Sequence, residues 1–482
     1  MRVRFILFGI AFLACHVNAI GAEEKGEFCA VLINGKKVGY STHARRVVGG
    51  KVRTSEMIDI TINRGGTIAE IRLGQSSLET IDGKPINFEV NQKVGDNEMA
   101  LKGILNKQGK CDLTVTNAGK TNTSTIKWCK DALMAEGLRL LTLKKGLEEG
   151  TTFTARVFEP ASLVSRKSTI RVGPRKEIQL IGRKAELTEI KRTCKSLHGV
   201  IVHTSYVDKD LNSLKVIVPM MEMTCEFVSC SRLYAFGSND SVDLLDGIVV
   251  ASPIPLEGLF SAKSITYELT PTGTNRLTLP SSGNQSVRYE PDGRVAVTVQ
   301  TTSAPVGETF PYTGDDKAAL EALEDSVFLQ SGSPEIIALA HRVVGNTKDA
   351  AKAVRQIERF VYNHIDDKAS SIGYAPALDI VASRKGDCSE HAVLTVALCR
   401  AVGIPAQVVT GIVYVTRDRG AGVFVPHAWA RVYIGGVWIH IDATRIHGFE
   451  TGHIALAYSN GSPENMLSCL GQFKITRVTV NQ

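Results

Sequence analysis

Lys385-Gly386-Asp387-Cys388-Ser389-Glu390-His391 is the stretch on which the reading of this chain turns, because it sets a cysteine at the first turn of a helix. Asp387 followed three residues later by Glu390 has the form of a capping box. The run from Ala392 to Cys399 continues as an almost wholly apolar helix, which Gly403 and Pro405 stop. Cys388 therefore sits where unpaired backbone N–H groups point outward. Those donors and the helix dipole favour thiolate over thiol, and at such positions cysteine pKa values fall to roughly 3.5–7.5. The expectation is a nucleophile; the plainer alternative is one more small hydrophobe in a core.

Two later segments bear on that choice. Val425 to Ile434 and Val437 to Thr444 alternate like strands, and Gly435-Gly436 between them is a two-residue hairpin turn. With those glycines as the turn, His427 faces Thr444, Trp429 faces Asp442, and Asp442 lies diagonal to His427. All four side chains leave from one face, and diagonal neighbours lie about 7–8 Å apart by backbone, less at their tips. An aspartate reaches an imidazole across that gap. A lone His427 reads as a structural histidine and a lone Asp442 as a strand-end turn former; together with Cys388 they form the set that nucleophilic catalysis needs. The imidazole takes the thiol proton while the acid fixes its tautomer.

These residues resemble the motifs of the transglutaminase-like (transglutaminase core) superfamily. The likeness is carried by Gly386-Asp387-Cys388 and its helix into Arg400-Ala401-Val402-Gly403-Ile404-Pro405-Ala406, by His427-Ala428-Trp429-Ala430-Arg431-Val432-Tyr433, and by Trp438-Ile439-His440-Ile441-Asp442-Ala443-Thr444. It covers roughly residues 330–450. It implies a papain-like cysteine fold with Cys388 as nucleophile, His427 as base and Asp442 as orienting acid. The resemblance further implies a thioester formed from a glutamine or peptide-like carbonyl, then passed to water or an amine. Hydrolysis is favoured, since nothing identifies an amine site. The oxyanion would meet the Cys388 N–H and one side-chain donor, for which Tyr374 is the candidate, with Trp429 walling the acyl pocket. The matched region has no acidic loop for calcium, so no metal or other cofactor is expected. A different class of answer is the same fold kept without turnover as a peptide-binding or envelope scaffold module.

The remaining histidines rank lower. His391, one turn beyond Cys388, lacks a separate acid; His440 pairs with Arg431 across the hairpin and reads as structural; His447 and His453 read as solvated side chains of a loop-like tail.

At 482 residues the chain is long enough for two or three domains, and 43% apolar content suffices for real cores. Residues 1–22 read as an export signal: Arg2 and Arg4, an apolar run from Phe5 to Cys15, then Ala19 and Ala22 as cleavage positions. Leu13-Ala14-Cys15 offers a lipoprotein processing site as the alternative. The run is shorter than the roughly 20 residues of a membrane span, and no later stretch is long enough. The protein is thus expected in the periplasm or outside the cell, acting on a protein or peptide. Removing Arg2 and Arg4 lowers the net charge from +7 to +5, and no basic run is interleaved with aromatics, so nucleic acid is not an expected partner. Ten cysteines become nine without Cys15, an odd number that suits one free reactive thiol, Cys388. Cys111 with Cys129, and Cys225 with Cys230, are candidate disulfides in an oxidising compartment. Cys399 falls on the apolar helix and reads as core.

The fold class expected is α+β. Residues 23–250 read as an antiparallel β-rich domain with one helical insert, Asp131 to Leu143. Residues 260–315 read as a small β module or linker, and 316–482 as the catalytic domain, opened by helices over Pro334 to Val344 and from Thr347 or Lys348 to His364 and a short one over Ala377 to Ser383. No phosphate loop or metal-ligand spacing occurs in the first half.

Overall fold

The computed structural model describes residues 27–481 except 65–66, 95–96, 118–119, 197–198, 221–222, 244–248, 257, 259–261, 273–276, 368–374, 417–420, 446 and 461–471. The export-signal reading, Cys15 and Tyr374 lie outside the described residues. Among the described residues no helix is long and apolar enough to cross a membrane. The chain divides into two compact units between Leu244 and Leu245.

The first unit is built on one 15-stranded sheet. Neighbours in sequence pair antiparallel from Lys120–Lys127 back to Glu27–Ile33; that strand pairs with Met223–Cys230, from which the order runs back to Thr152–Glu159. Among the described residues, the one strand of this sheet that pairs in parallel is Ala132–Leu133, on Thr152–Glu159. The expected helical insert is Ala135–Lys145. Alternation sets the burial: Val52, Thr54, Ile58, Ile60 and Ile62 of Lys51–Arg64 all point inward. The sheet curls, so that Phe88 of Pro85–Val94 meets Phe158 of Thr152–Glu159 with ring centroids 4.9 Å apart, and Trp128 packs against the same Phe158 at 4.4 Å. The two expected disulfides do not form: Cys111, Cys129, Cys225 and Cys230 are all free thiols. Cys111 and Cys225 are strand residues whose side chains are buried in the core, which removes them from partners across a turn.

The second unit holds helices and two further sheets. The segment read as a separate β module supplies Ser264–Pro271, Gln285–Tyr289 and Val295–Gln300, which share a four-stranded sheet with the C-terminal strand Phe473–Asn481. The other sheet runs Val250–Ala251, Val423–Ile434, Ala406–Val415, His453–Ser459, with Val437–Ile441 pairing on Val423–Ile434. Helices Pro334–Val344, Ala350–His364 and Ala377–Ser383 surround Cys388–Ala401, which also packs on the strands Ala406–Val415 and Val423–Ile434. A helix enclosed on all sides is largely apolar, and the charged side chains it buries near its two ends, Glu390 and Arg400, are hydrogen-bonded. Cys388 through Arg400 are accordingly all buried.

Candidate active site

The capping box forms as its spacing requires. The Asp387 carboxylate accepts the Ser389 N–H at 3.0 Å and the Ser389 hydroxyl at 2.9 Å, and Glu390 Oε2 accepts the Asp387 N–H at 2.9 Å. Gly386 is set by close packing, since a Cβ there would lie 2.3 Å from Cβ of Glu390. At the first helical position the Cys388 N–H has no intrahelical acceptor.

The hairpin has the expected register: Ala430 pairs with Ile441, Arg431 with His440 and Ile434 with Val437. Gly435 and Gly436 have φ of 58° and 83°, the left-handed values a tight hairpin turn demands. Asp442, one residue past the paired strand, then meets His427, with Oδ2 2.8 Å from Nε2. Cys388 joins from the helix side, where its sulfur accepts the N–H of Ala428, the residue directly after His427. Cys388 is 8% exposed, His427 2% and Asp442 0%.

Electrostatics divide the three. Burial alone would raise the Asp442 carboxyl, but the charge and hydrogen bond of His427 and the hydrogen bond of His453 hold it well below the usual carboxylate range. Thr444 also donates to Oδ1 through its N–H at 2.9 Å and its hydroxyl at 2.6 Å. Cys388 departs from the sequence expectation. Burial pushes its thiol well above the ordinary value, Asp387, Glu390 and Asp442 push the same way, and the Ala428 N–H only partly opposes them. The helix end was expected to win; desolvation and three nearby carboxyl groups outweigh it.

One residue of the site was misjudged from sequence. His453, expected in a solvated tail, opens the strand His453–Ser459 and is 1% exposed, with Nε2 3.0 Å from Asp442 Oδ2. Burial holds its pKa down to about 4, so at neutral pH the ring carries one proton. That proton has two acceptors to choose between, Asp442 Oδ2 and the Glu450 carbonyl 2.9 Å from Nδ1; we assign it to Nε2, where the acceptor is an ionised carboxylate, which leaves Nδ1 to accept the Glu450 N–H at 3.4 Å. One carboxylate oxygen thus serves two imidazoles. The signal available was Gly452 followed by the run Ile454-Ala455-Leu456-Ala457, a strand with a turn residue before it.

Trp429 is 1% exposed and lies beside the His427 ring at 5.8 Å and 24°, donating its indole N–H to His440 Nδ1 at 3.2 Å. It therefore backs the imidazole. His391 donates Nδ1–H to the Asp387 carbonyl at 2.6 Å. His440 is buried and held neutral by burial and the nearby Arg431 charge. His447 is exposed. Beneath the site, Glu358 Oε1 accepts the Asp442 N–H at 3.0 Å, and burial raises its carboxyl to about 7. His427, Asp442 and His453 bring three potential metal-ligand atoms within 4.8 Å of one another. Their facing atoms are already joined by hydrogen bonds, which suits a carboxylate that orients two imidazoles better than a metal cage.

Residues 337–443 match the family described as the transglutaminase-like superfamily. The chain is 30% identical over 107 residues to an uncharacterised protein, ML0607, of Mycobacterium leprae; the match covers 21% of this chain and 38% of that protein. Among solved structures it is similar to a candidate cysteine protease from Cytophaga hutchinsonii, at 20% identity and a TM-score of 0.30, over 49% of this chain and 85% of that one. It is also similar to the periplasmic domain of TgpA from Pseudomonas aeruginosa, at 16% identity and a TM-score of 0.25, over 45% and 77% of the two chains. A β-barrel-like protein of a domain of unknown function from Brucella abortus matches at 10% identity and a TM-score of 0.34, over 43% and 95%.

Proposed function

We propose, from the premise that residues 337–443 match the transglutaminase-like superfamily, that the protein is an exported cysteine enzyme acting on glutamine or peptide amide bonds. Cys388 is the nucleophile, His427 the base and Asp442 the acid that orients it. The observation that carries the reading is the 2.8 Å contact between His427 Nε2 and Asp442 Oδ2, with the Cys388 sulfur on the neighbouring Ala428 N–H.

The raised thiol pKa shapes the mechanism. A preformed thiolate is not the resting state; the S–H proton passes to His427 Nδ1, the ring nitrogen that Asp442 leaves free, as sulfur bonds to the carbonyl carbon. The carbonyl π pair moves onto oxygen, where the Cys388 N–H stabilises it. Collapse expels the amine or ammonia, which takes the proton from His427 and leaves a thioester. Water or an amine then attacks, His427 accepts its proton, and Cys388 departs as thiol. Asp442 stays ionised throughout. Hydrolysis is the favoured outcome.

The enclosure of all three residues favours a second reading, a peptide-binding or envelope scaffold module without turnover. Casein incubated with a biotinylated primary amine separates the cases. Peptide release, or ammonia release without biotin incorporation, marks a hydrolase and biotin incorporation a crosslinker, each lost in Cys388→Ala; identical traces for the two proteins would refute the enzyme.

A further inference from the structure

The curled sheet of the first unit encloses a cavity of about 140 Å³ that plays no part in the chemistry above. Its two walls differ in character. On one side Leu138, Val157, Ile170, Ile190 and Val207 present hydrocarbon, interrupted by Arg192 and by Ser205, which pairs with Ile190. On the other, His43, Glu56 and Gln75 occupy opposed positions on three consecutive strands, so their side chains form one polar row across the sheet. Gln75 donates to Glu56 at 2.9 Å. Beside that row Thr54, 5% exposed, also lines the cavity, and its Oγ1 has no hydrogen-bond partner.

A buried hydroxyl left unmatched costs about 1–3 kcal/mol, so native proteins seldom keep one without a use. Here it lies at the edge between a hydrocarbon wall and a polar row, where the head of an amphipathic guest would fall. We infer that this cavity is a binding site for a small amphipathic molecule, an aromatic ring bearing a hydroxyl of the phenol type, with the ring against Val157, Ile170 and Ile190 and the hydroxyl on Thr54. The size fits one ring: an apolar cavity of roughly 150 Å³ takes a single benzene.

The test uses the full chain and two probes that differ by one hydroxyl, p-cresol and toluene, titrated by ligand-observed NMR or calorimetry. Saturable one-to-one binding is expected for both, with p-cresol tighter by roughly fivefold, the worth of one net hydrogen bond. Thr54→Val should abolish that preference while leaving toluene affinity within twofold. Ile190→Trp fills the space and should eliminate binding of both; Ser205→Leu, from another strand lining the cavity, is the second filling variant should the first fail to fold. Absence of saturable binding, binding that survives both filling variants, or a p-cresol preference unchanged in Thr54→Val overturns the assignment.

Discussion

Replacing Asp442 by Asn changes one atom and tests the arrangement of the site. All four hydrogen bonds of this carboxylate come from donors, His427 and His453 at 2.8 and 3.0 Å on Oδ2 and the Thr444 N–H and hydroxyl at 2.9 and 2.6 Å on Oδ1, and the Arg445 guanidinium lies 3.7 Å from Oδ2. An amide has one accepting end and one donating end. With NH₂ towards Thr444 it faces a backbone N–H that cannot turn away. With NH₂ towards the histidines, His427 must shed its Nε2 proton and carry it on Nδ1, the atom needed to accept the thiol proton. The wrong tautomer costs on the order of 10³–10⁴ in kcat. Breaking a buried, charge-assisted set also destabilises the fold by about 3 kcal/mol. Amine incorporation and ammonia release at pH 7, read beside the melting temperature, measure both effects. A folded Asn variant that keeps more than a tenth of wild-type turnover refutes the base assignment.

Three further outcomes follow from neighbouring contacts. His453→Ala should lower kcat/KM roughly 10- to 100-fold through loss of one charge-assisted bond on Asp442, whereas Gln, which still donates, should stay within tenfold of wild type; equal rates for Ala and wild type would show that His453 does not position the acid. Iodoacetamide labelling of Cys388 should be slow at pH 7 and still accelerating above pH 9; a plateau near pH 6 would mean that a thiolate is preformed. Glu358, raised to about 7 when folded, binds its proton more tightly in the folded than in the unfolded chain, so its contribution to stability falls as pH rises from about 4.5 to 7. Glu358→Gln should therefore gain little at pH 4.5 and up to about 3 kcal/mol at pH 8 by denaturant titration, and a gain independent of pH would contradict that reasoning.

Local chemistry made much of this legible in the text. The capping box, the two-glycine turn and the register that puts Asp442 on His427 each depend on residues a few positions apart. Helices Pro334–Val344 and Ala377–Ser383 fall where caps and apolar spacing put them. What escaped depends on distant packing. The state of the Cys388 thiol is decided by how completely helices and strands from elsewhere exclude water. His453 was missed because its strand pairs with Ala406–Val415, some 40 residues earlier, and only that pairing brings its ring to Asp442. The return of Phe473–Asn481 to a sheet formed about 200 residues upstream left no local mark.

The two-glycine turn leaves the site little tolerance for length change. Inserting a single residue there would invert every side chain on the returning strand, turning Asp442 toward the opposite face and presenting Ile441 or Ala443 to the imidazole. Deletion of either glycine would do the same. Among variants of this chain, alignment gaps should therefore collect in other loops, and a gap at 435–436 would mark a copy that has lost its acid while keeping cysteine and histidine in place.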